Sequence, residues 1–279
     1  MNKKLIFTAI PIIIILILIF AFFSITGSKT VKAQLHATQP GITLNGEEVT
    51  GNLKLKQGDI IQTKDAVATV ILHESVIVNL GPNTKITVAD LAADHPKLEQ
   101  EGGKTWNKFT KLIGVEQYTI SEGNSVASVR GTFFEFSEGK VLVSEGEVQV
   151  TINGKTYSVT AGKVVEKIQT VDENGNPTEE IVEREVTQEE SAEVKEQISK
   201  SIEELKYLRD LEIEKHPTTV NTYKSMYDVT DADIKQALVD ADNGEVDIDE
   251  AYEQSPVKIE SVKRIADITK TIQEMNKQR

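Results

Sequence analysis

The stretch Glu147–Val159, EVQVTINGKTYSV, decides the fold class. Its apolar residues at positions 148, 150 and 152 alternate with polar ones, and Asn153-Gly154 separates them from a second alternating run. Alternation with a period of two predicts a strand with one buried face. Asn-Gly readily adopts the left-handed conformations that a two-residue hairpin turn needs. The stretch therefore predicts an antiparallel β-hairpin.

The residues on both sides of this hairpin repeat the pattern. Short alternating or β-branched runs are separated by turn residues such as Gly81-Pro82 and Ala161-Gly162, and no helical period interrupts them. We expect a mainly β domain over residues 34–171, either a sandwich, a jelly roll or a barrel. The predicted strands are 42–49, 59–63, 66–72, 75–80, 84–88, 117–120, 125–129, 131–136, 140–143, 147–152, 155–159 and 163–171.

Composition excludes several classes of function. The 279 residues include no cysteine, which rules out disulfides, thiolate metal sites and cysteine nucleophiles. The net charge is -13, so we expect no nucleic-acid partner. Residues 34–171 hold 16 acidic and 13 basic residues, whereas residues 172–279 hold 28 and 14. The negative charge is therefore concentrated in the C-terminal part.

The N-terminus predicts a single-pass membrane protein. Residues 5–26 are apolar apart from a few small or polar positions, and a helix of this length crosses a hydrocarbon core of about 30 Å. Lys3 and Lys4 favour a cytoplasmic N-terminus, with residues 1–4 as a short stub. We expect the lipid bilayer to hold residues 5–26 and the bulk of the chain to be extracytoplasmic. Cleavage near Ala33, which would release a secreted module, is the alternative.

The C-terminal part reads as helices. Residues 172–186 form either a linker or an extra hairpin, and residues 187–279 form an acidic α-helical region. Thr187 and Glu190 have the spacing of a capping box, and Thr230 caps a second helix. Ser255-Pro256 marks the start of a last helix. The apolar stripes are Val194, Ile198, Ile202, Leu205 and Leu208, then Ile234, Leu238 and Ala241, then Val262, Ile265, Ile268, Ile272 and Met275.

These stripes have two interpretations. Stripes of this kind usually pack on each other or on the neighbouring domain. The alternative is a partner interface, including self-association through the C-terminal helices. The last stripe is shorter than a coiled coil requires.

The β part resembles the FecR domain family over about residues 40–165. Residues 57–63, QGDIIQT, resemble the opening "GD-x-I-x-T" motif of that family, and residues 127–136, ASVRGTFFEF, are close to its "A-x-V-R-G-T-x-F-x-V" signature. Residues 101–106, EGGKTW, resemble its "G-K-V-W" strand. Residues 141–150, VLVSEGEVQV, match "V-x-V-x-E-G-x-V-x-V", and residues 159–162, VTAG, match "V-x-A-G". The signature residues are Gly58, Asp59, Thr63, Arg130, Gly131, Thr132, Phe134, Phe136, Glu145, Gly146 and Gly162.

We expect structural roles for these residues. Gly131 should lie at a bend or bulge, and Phe133 or Phe134 should share an inward face with Phe136. Arg130 should pair with a carboxylate, although contact with an anion or a partner is the alternative. Members of the family include extracytoplasmic parts of membrane sensors whose cytoplasmic segment controls a sigma factor. Residues 1–4 are too short for that segment, so we do not expect the anti-sigma role.

No catalytic, cofactor or metal site is predicted. His36, His73, His95 and His216 share no ligand spacing, and we expect them to be scattered and exposed. Residues 240–250 resemble part of a calcium loop, but Glu245 stands where an EF-hand needs glycine. Asn243-Gly244 and Asp247 instead predict the end of one helix and the start of the next.

We therefore expect a non-catalytic binding or scaffold module, anchored outside the cytoplasmic membrane. Its partner would be an envelope protein or polymer whose identity the sequence does not give. The alternative is an extracytoplasmic accessory of a membrane signalling system. An enzyme acting on envelope glycans is a third class, and it would require a buried pair of carboxylates in a cleft.

Overall fold

The chain folds into a β unit followed by a helical unit. A computed structural model describes residues 32–279 except 111, 113, 130, 218–219, 222–223, 226–227 and 255–259. The described residues separate into two compact units, with the boundary after Gln197. The division falls within a helix, so the β unit includes the first residues of that helix.

The β unit is built from short strands, as the alternating pattern predicts. The strands are β1 (Ala33–Ala37), β2 (Ile42–Leu44), β3 (Glu47–Glu48), β4 (Gly51–Lys54), β5 (Ile60–Thr63), β6 (Ala68–Leu72), β7 (Val76–Leu80), β8 (Lys85–Asp90), β9 (Lys97–Gln100), β10 (Lys104–Phe109), β11 (Tyr118–Glu122), β12 (Ser125–Val129), β13 (Phe133–Ser137), β14 (Lys140–Glu145), β15 (Glu147–Ile152), β16 (Lys155–Thr160), β17 (Lys163–Val171) and β18 (Pro177–Glu185).

The strands form two open nine-stranded sheets. Sheet A has the order β18-β17-β14-β13-β10-β7-β6-β1-β4, and sheet B has the order β16-β15-β12-β11-β9-β8-β5-β2-β3. The chain moves from one sheet to the other after every one or two strands. Strands β9 and β11 pair in parallel because β10, which lies between them in sequence, belongs to sheet A.

One hydrophobic core joins the two sheets. Leu35, Val78 and Phe134 contribute to it from sheet A, and Ile61 and Ile120 contribute from sheet B. All five are fully buried. The mainly β class is therefore confirmed, and the shared core gives the unit the layered arrangement of a sandwich.

Two strand predictions need correction, and three strands were missed. Residues 42–49 were expected to form one strand, but β2 and β3 form a hairpin there. Asn45 and Gly46 both have positive φ, at 54° and 85°, as a two-residue turn of this kind requires. The strand predicted at 117–120 runs instead from Tyr118 to Glu122, and β1, β4 and β9 were not predicted.

Residues 172–176 form the turn of a hairpin. Strands β17 and β18 pair antiparallel along their full length, from Lys163↔Glu185 to Val171↔Pro177. Asp172 holds this turn by accepting hydrogen bonds from the backbone of Asn174 and Asn176, each at 2.8 Å. Of the two interpretations of residues 172–186, the structure therefore has the extra hairpin.

The described helices are α1 (Gln188–Glu214), α2 (Asp231–Asp242), α3 (Ile248–Gln254) and α4 (Glu260–Asn276). The capping box before α1 is present, because Thr187 N donates to Glu190 at 2.9 Å and Glu190 N donates to Thr187 Oγ1 at 3.2 Å. Thr230 caps α2 in the same way. Ser255-Pro256, predicted to start the last helix, lies outside the described residues.

The predicted apolar stripes face the interior. All five stripe residues of α1 are buried, and so are four of the five in α4, with Ile265 only partly buried. In α2, Ile234 and Ala241 are buried as predicted, whereas Leu238 is partly exposed and Ala237, outside the predicted stripe, is buried. Residues from α2, α3 and α4 share a small core that includes Ala241, Ile248 and Val262.

Nothing in the described part of the chain shows the predicted membrane anchor. No helix there is long and apolar enough to cross a bilayer. The predicted stub at residues 1–4 and span at residues 5–26 lie outside the described residues.

Candidate functional site

The first signature motif holds a turn. Gly58 has a φ of 89°, and its N–H donates to the Val88 carbonyl at 2.8 Å. Asp59 accepts hydrogen bonds from the Lys56 N–H at 2.7 Å and from Asn45 Nδ2 at 2.9 Å. The carboxylate therefore joins the turn before β5 to the β2–β3 turn.

Thr63 connects three segments inside the β unit. Its hydroxyl donates to the Gly81 carbonyl at 2.7 Å and accepts from the Thr84 N–H at 2.9 Å. The Thr84 hydroxyl in turn accepts from the Lys104 N–H at 3.0 Å. Both threonines are buried, so water cannot reach these backbone groups, and the two hydroxyls supply the hydrogen bonds that water would otherwise make.

The most specific signature lies around β13. Arg130 is outside the described residues, so its pairing stays a prediction. Gly131 has a φ of 67°, and the pairing of β13 with β14 shifts between Phe133 and Phe134, which marks a bulge. Phe134 joins Phe136 in the sandwich core, as the alternation of β13 requires, while the centroid of the Phe133 ring lies 5.6 Å from that of Trp106. Thr132, which lies between Gly131 and Phe133 in sequence, is fully buried.

The remaining signature residues are also used within the β unit. Glu145 forms an ion pair with the buried Lys108, whose Nζ lies 2.6 Å from Glu145 Oε2. Gly146 has a φ of 80°, and a Cβ there would lie 2.8 Å from the Gly131 carbonyl oxygen. Gly162, with a φ of 83°, lies in the turn between β16 and β17.

A network of charges holds the first turns of α1 to the β unit. Arg184 donates two hydrogen bonds to Glu190 and two to Glu166. Glu193 accepts from Lys104 Nζ at 2.9 Å and from Trp106 Nε1 at 3.2 Å. The Arg184 hydrogen bonds hold the pKa of the Glu190 carboxyl well below its usual range, against the opposing effect of burial.

Glu135 lies beneath this network and is fully buried. Its Oε1 lies 3.3 Å from Lys140 Nζ and 3.9 Å from Lys104 Nζ. Burial raises the pKa of the Glu135 carboxyl, and the two lysines oppose that effect. Strict alternation of β13 puts Glu135 on the opposite face from Phe134 and Phe136, which is a signal that the sequence analysis missed.

A second polar network crosses the sandwich interior. Tyr118 donates to Asn107 at 2.8 Å, and Asn107 donates to Thr105 at 3.1 Å. The network continues where Thr105 Oγ1 donates to Gln100 Oε1 at 3.0 Å, and Gln100 Nε2 donates to Glu122 Oε2 at 3.0 Å. These residues belong to both sheets, and all are buried. Burial raises the pKa of Tyr118 well above its usual value.

Glu122 ends this network at a cleft, which we take as the candidate site. The cleft has a volume of about 230 Å³. Burial raises the pKa of Glu122, the Gln100 hydrogen bond opposes this, and the charge of Glu138 adds to it. This site was not predicted, although Tyr118, Ile120 and Glu122 alternate on one face and so indicate an inward carboxylate. The lining residues are Glu122, Gly123, Asn124, Ser125, Glu138, Gly139, Ile152, Asn153 and Lys167.

A broader groove lies on sheet B. It has a volume of about 470 Å³ and is lined by Gln117, Ser128, Val129, Glu147 and Gln149. Glu147 accepts a hydrogen bond from Ser158. Because its charged side chain is exposed, the groove lacks the buried carboxylate that distinguishes the smaller cleft.

The histidine prediction needs correction. His36 and His73 were expected to be exposed, but each is only 6% exposed, because every residue of β1 is buried and so are residues 73–75 in the β6–β7 turn. Burial lowers the pKa of His73. His95 is exposed, as predicted, and pairs with Asp94 at 2.8 Å. His216 is partly buried, and its Nε2 lies 3.3 Å from Ser261 Oγ.

The segment that resembles a calcium loop forms helix caps. Gly244, with a φ of 79°, follows the C-terminus of α2, and Asp247 Oδ1 accepts from the Glu250 N–H at 2.9 Å. Within the described ranges, no group of three or more histidine or acidic side chains could hold a metal ion.

Comparison with known proteins adds little. No family model matches the chain, and neither does any curated protein. Two crystal structures of a "putative anti-sigma factor" from Parabacteroides distasonis ATCC 8503, at 2.50 and 1.65 Å resolution, are similar to part of it, each with 18% identity and a TM-score of 0.35. The similarity covers 43% of this chain and 58% of each of those chains, so the match spans less than two thirds of their length. A TM-score of this size leaves function to be argued from the residues themselves.

Proposed function

We propose that the chain is a membrane-anchored, extracytoplasmic FecR-domain-like protein that acts as a non-catalytic binding and scaffold module at the cell envelope. The anchor is the apolar run of residues 5–26. The observation that carries the non-catalytic role is the use of the signature side chains. Asp59, Thr63 and Glu145 are each bound within the β unit, so they stabilise a framework. The partner is an envelope protein or polymer.

The binding surface in this proposal is the end of the β unit that carries the Glu122 cleft. Three tight turns meet there and present exposed polar groups, including those of Asn124 and Asn153. Turns on a packed framework can vary without loss of the core, which is why binding residues often lie on them.

Co-sedimentation with cell-wall sacculi, combined with crosslinking in membranes, tests this proposal. The full-length chain is purified in detergent and mixed with sacculi of the source organism. We expect saturable binding or one crosslinked envelope component, without release of soluble fragments. Release of sugar or peptide fragments would contradict the non-catalytic role and favour the enzyme alternative. Absence of both binding and crosslinking would contradict the binding role.

One feature favours a second candidate, an extracytoplasmic accessory of a membrane signalling system. Helix α1 begins in the β unit, where Arg184 and Lys104 hold its first turns, and it continues past Gln197 into the helical unit. A change at the first turns would therefore act on an element that both units share. Crosslinking to one specific integral membrane protein, in place of a wall polymer, would favour this candidate.

A further inference from the structure

Three hairpin turns enclose the small cleft at one end of the β unit. They are the turns between β11 and β12, between β13 and β14, and between β15 and β16. The volume of about 230 Å³ is below the range of about 300–1,000 Å³ typical of sites for drug-sized ligands. The cleft therefore suits one functional group of a larger molecule.

Glu122 supplies a hydrogen-bond acceptor that the protein leaves unused. The residue is 8% exposed, and its Oε2 accepts from Gln100 Nε2 at 3.0 Å. Its other oxygen, Oε1, accepts no hydrogen bond from any described residue, although Glu122 lines the cleft. This oxygen is not among the fully buried unpartnered atoms, so it is open to the cleft, where a ligand that donates a hydrogen bond can reach it.

The charges around the cleft indicate the sign of the charge that the ligand carries. Glu138 also lines the cleft and lies near enough for its charge to act on Glu122. Lys167 is the cation of the lining, but its Nζ lies 3.2 Å from Glu179 Oε1, which compensates its charge. The uncompensated charge of the cleft is therefore negative, and a cationic donor complements it.

A divalent cation fits this cleft less well than an organic one. Calcium takes six to eight oxygen ligands. The described residues contain no group of three or more acidic or histidine side chains that could hold a metal ion. Two carboxylates with neighbouring amides suit a group that donates hydrogen bonds itself.

We propose that the cleft binds a primary ammonium group of an envelope component, with Glu122 Oε1 as its principal acceptor and Glu138 as the second carboxylate. This inference rests on the proposed binding function and names the ligand chemistry of that site. The ammonium belongs either to an amino sugar or to the side chain of a diamino acid, since both present the same three donors. The interior network from Tyr118 to Gln100 positions the Glu122 carboxylate for this contact.

Titration of the full-length chain in detergent by NMR tests the proposal. The side-chain amide of Gln100 is the reporter, because it donates to Glu122. The probes are glucosamine, N-acetylglucosamine, calcium and Nα-acetyl-lysine amide, in which the side-chain ammonium is free. We expect glucosamine, lysine amide or both to shift the Gln100 signal, which identifies the source of the ammonium. N-acetylglucosamine, whose nitrogen is neutral, should leave the signal unchanged.

Two cleft variants and a matched control sharpen the test. Glu122→Gln should weaken amine binding at least about tenfold. Glu138→Gln should weaken it less and does not disturb the interior network, so it remains informative if Glu122→Gln fails to fold. Glu99→Gln, at an exposed carboxylate that pairs with Lys97, should bind amines as the parent chain does.

Three results would overturn the proposal. The first is equal binding of glucosamine and N-acetylglucosamine. The second is no shift by either amine at about 10 mM, tenfold above a Kd of about 1 mM. The third is saturable calcium binding that Glu122→Gln abolishes. Sacculus binding that survives both cleft substitutions would reject the cleft as the contact while leaving the binding module intact. Amine binding by a chain that binds no envelope component would keep the ammonium site and reject the proposed binding function.

Discussion

Arg184 and Glu190 join the last strand of the β unit to the helix that follows it. Arg184 is the penultimate residue of β18, and its two terminal nitrogens donate to the two carboxylate oxygens of Glu190 at 2.8 Å each. Glu190 is the third residue of α1 and also completes the capping box with Thr187. A single carboxylate therefore fixes both the start of the helix and its attachment to the sheet.

Substitution of Arg184 tests the importance of this attachment. Arg184→Lys keeps the positive charge but cannot form paired hydrogen bonds with Glu190 and Glu166. Because the Arg184 side chain is 32% exposed, we expect a loss of only about 1 kcal/mol in unfolding free energy. Urea unfolding followed by the fluorescence of Trp106, the one tryptophan, measures the loss in the β unit.

Lys97→Ala is the control for this substitution. Lys97 pairs with Glu99 on the surface of the β unit, with side chains 40% and 52% exposed. We expect a loss below about 0.5 kcal/mol. Equal losses in the two variants would mean that the paired geometry of Arg184 adds nothing.

The same attachment should depend on acid pH. The pKa of Glu190 lies well below its usual range because of Arg184, so its stabilising effect is complete above the unfolded pKa of about 4.3. It is lost as the pH falls from there through the folded pKa. The stability difference between the parent chain and Glu190→Gln should therefore be constant from pH 5 to 7 and shrink below about pH 4. Urea midpoints measured across this range check it. A difference that increases on acidification would contradict the assignment.

Gly146→Ala should destabilise the β unit strongly. Its backbone has a φ of 80°, and a Cβ would lie 2.8 Å from the Gly131 carbonyl oxygen and 2.9 Å from Thr132 Cγ2. Gly175, with a φ of 81° and no atom within 4 Å of a Cβ, is the matched control for backbone conformation alone. We expect Gly146→Ala to cost about 1–3 kcal/mol more than Gly175→Ala, measured by thermal unfolding. Equal losses of stability in the two variants would show that the contact of the new Cβ with Gly131 and Thr132 adds no cost.

In the helical unit, Asp242→Asn should have a large effect. Arg209 is 3% exposed and donates to both Asp242 oxygens, with Nη2 to Oδ2 at 3.0 Å, as well as to Thr269 at 3.2 Å. Loss of the carboxylate charge leaves the buried guanidinium without the carboxylate that contacts it, at a cost of about 3–5 kcal/mol. Thermal unfolding followed by far-UV circular dichroism reports on these helices.

Asp249→Asn provides the comparison for Asp242→Asn. Asp249 pairs with Lys270 at the surface, where the side chains are 70% and 44% exposed. We expect a loss below about 1 kcal/mol. The double variant Arg209→Met with Asp242→Leu should recover much of the lost stability, since apolar residues can replace a buried ion pair. A double variant as unstable as Asp242→Asn would contradict this explanation.

The local features of the fold could be predicted, and its connectivity could not. Asn153-Gly154 predicts its hairpin, and the Thr187–Glu190 spacing predicts the start of α1, because each depends on neighbouring residues only. The exchange of the chain between sheets depends on pairs such as β1 with β6 and β10 with β7, which no local pattern marks. Asn45-Gly46 carried the same hairpin signal as Asn153-Gly154, so the single strand predicted at 42–49 was an avoidable error.

The candidate site was missed for a related reason. Glu122 follows Tyr118 and Ile120 on one face of β11, so alternation alone predicts an inward carboxylate. The cleft beside it is formed by turns far apart in sequence, and only the three-dimensional arrangement brings Glu138 and Lys167 to it. Charge patterning likewise gave no sign that Glu135 would lie beneath Lys104 and Lys140.

The proposed function depends most on the β unit lying outside the cytoplasmic membrane, and the absence of cysteine allows a direct test. Val171→Cys places a thiol at a position that is 70% exposed, and Ala127→Cys places one at a fully buried position. Intact cells or spheroplasts are treated with a membrane-impermeant maleimide before lysis. We predict labelling of Val171→Cys in the membrane fraction of unlysed cells, and labelling of Ala127→Cys only after denaturation. Labelling of Val171→Cys only after lysis would contradict the account.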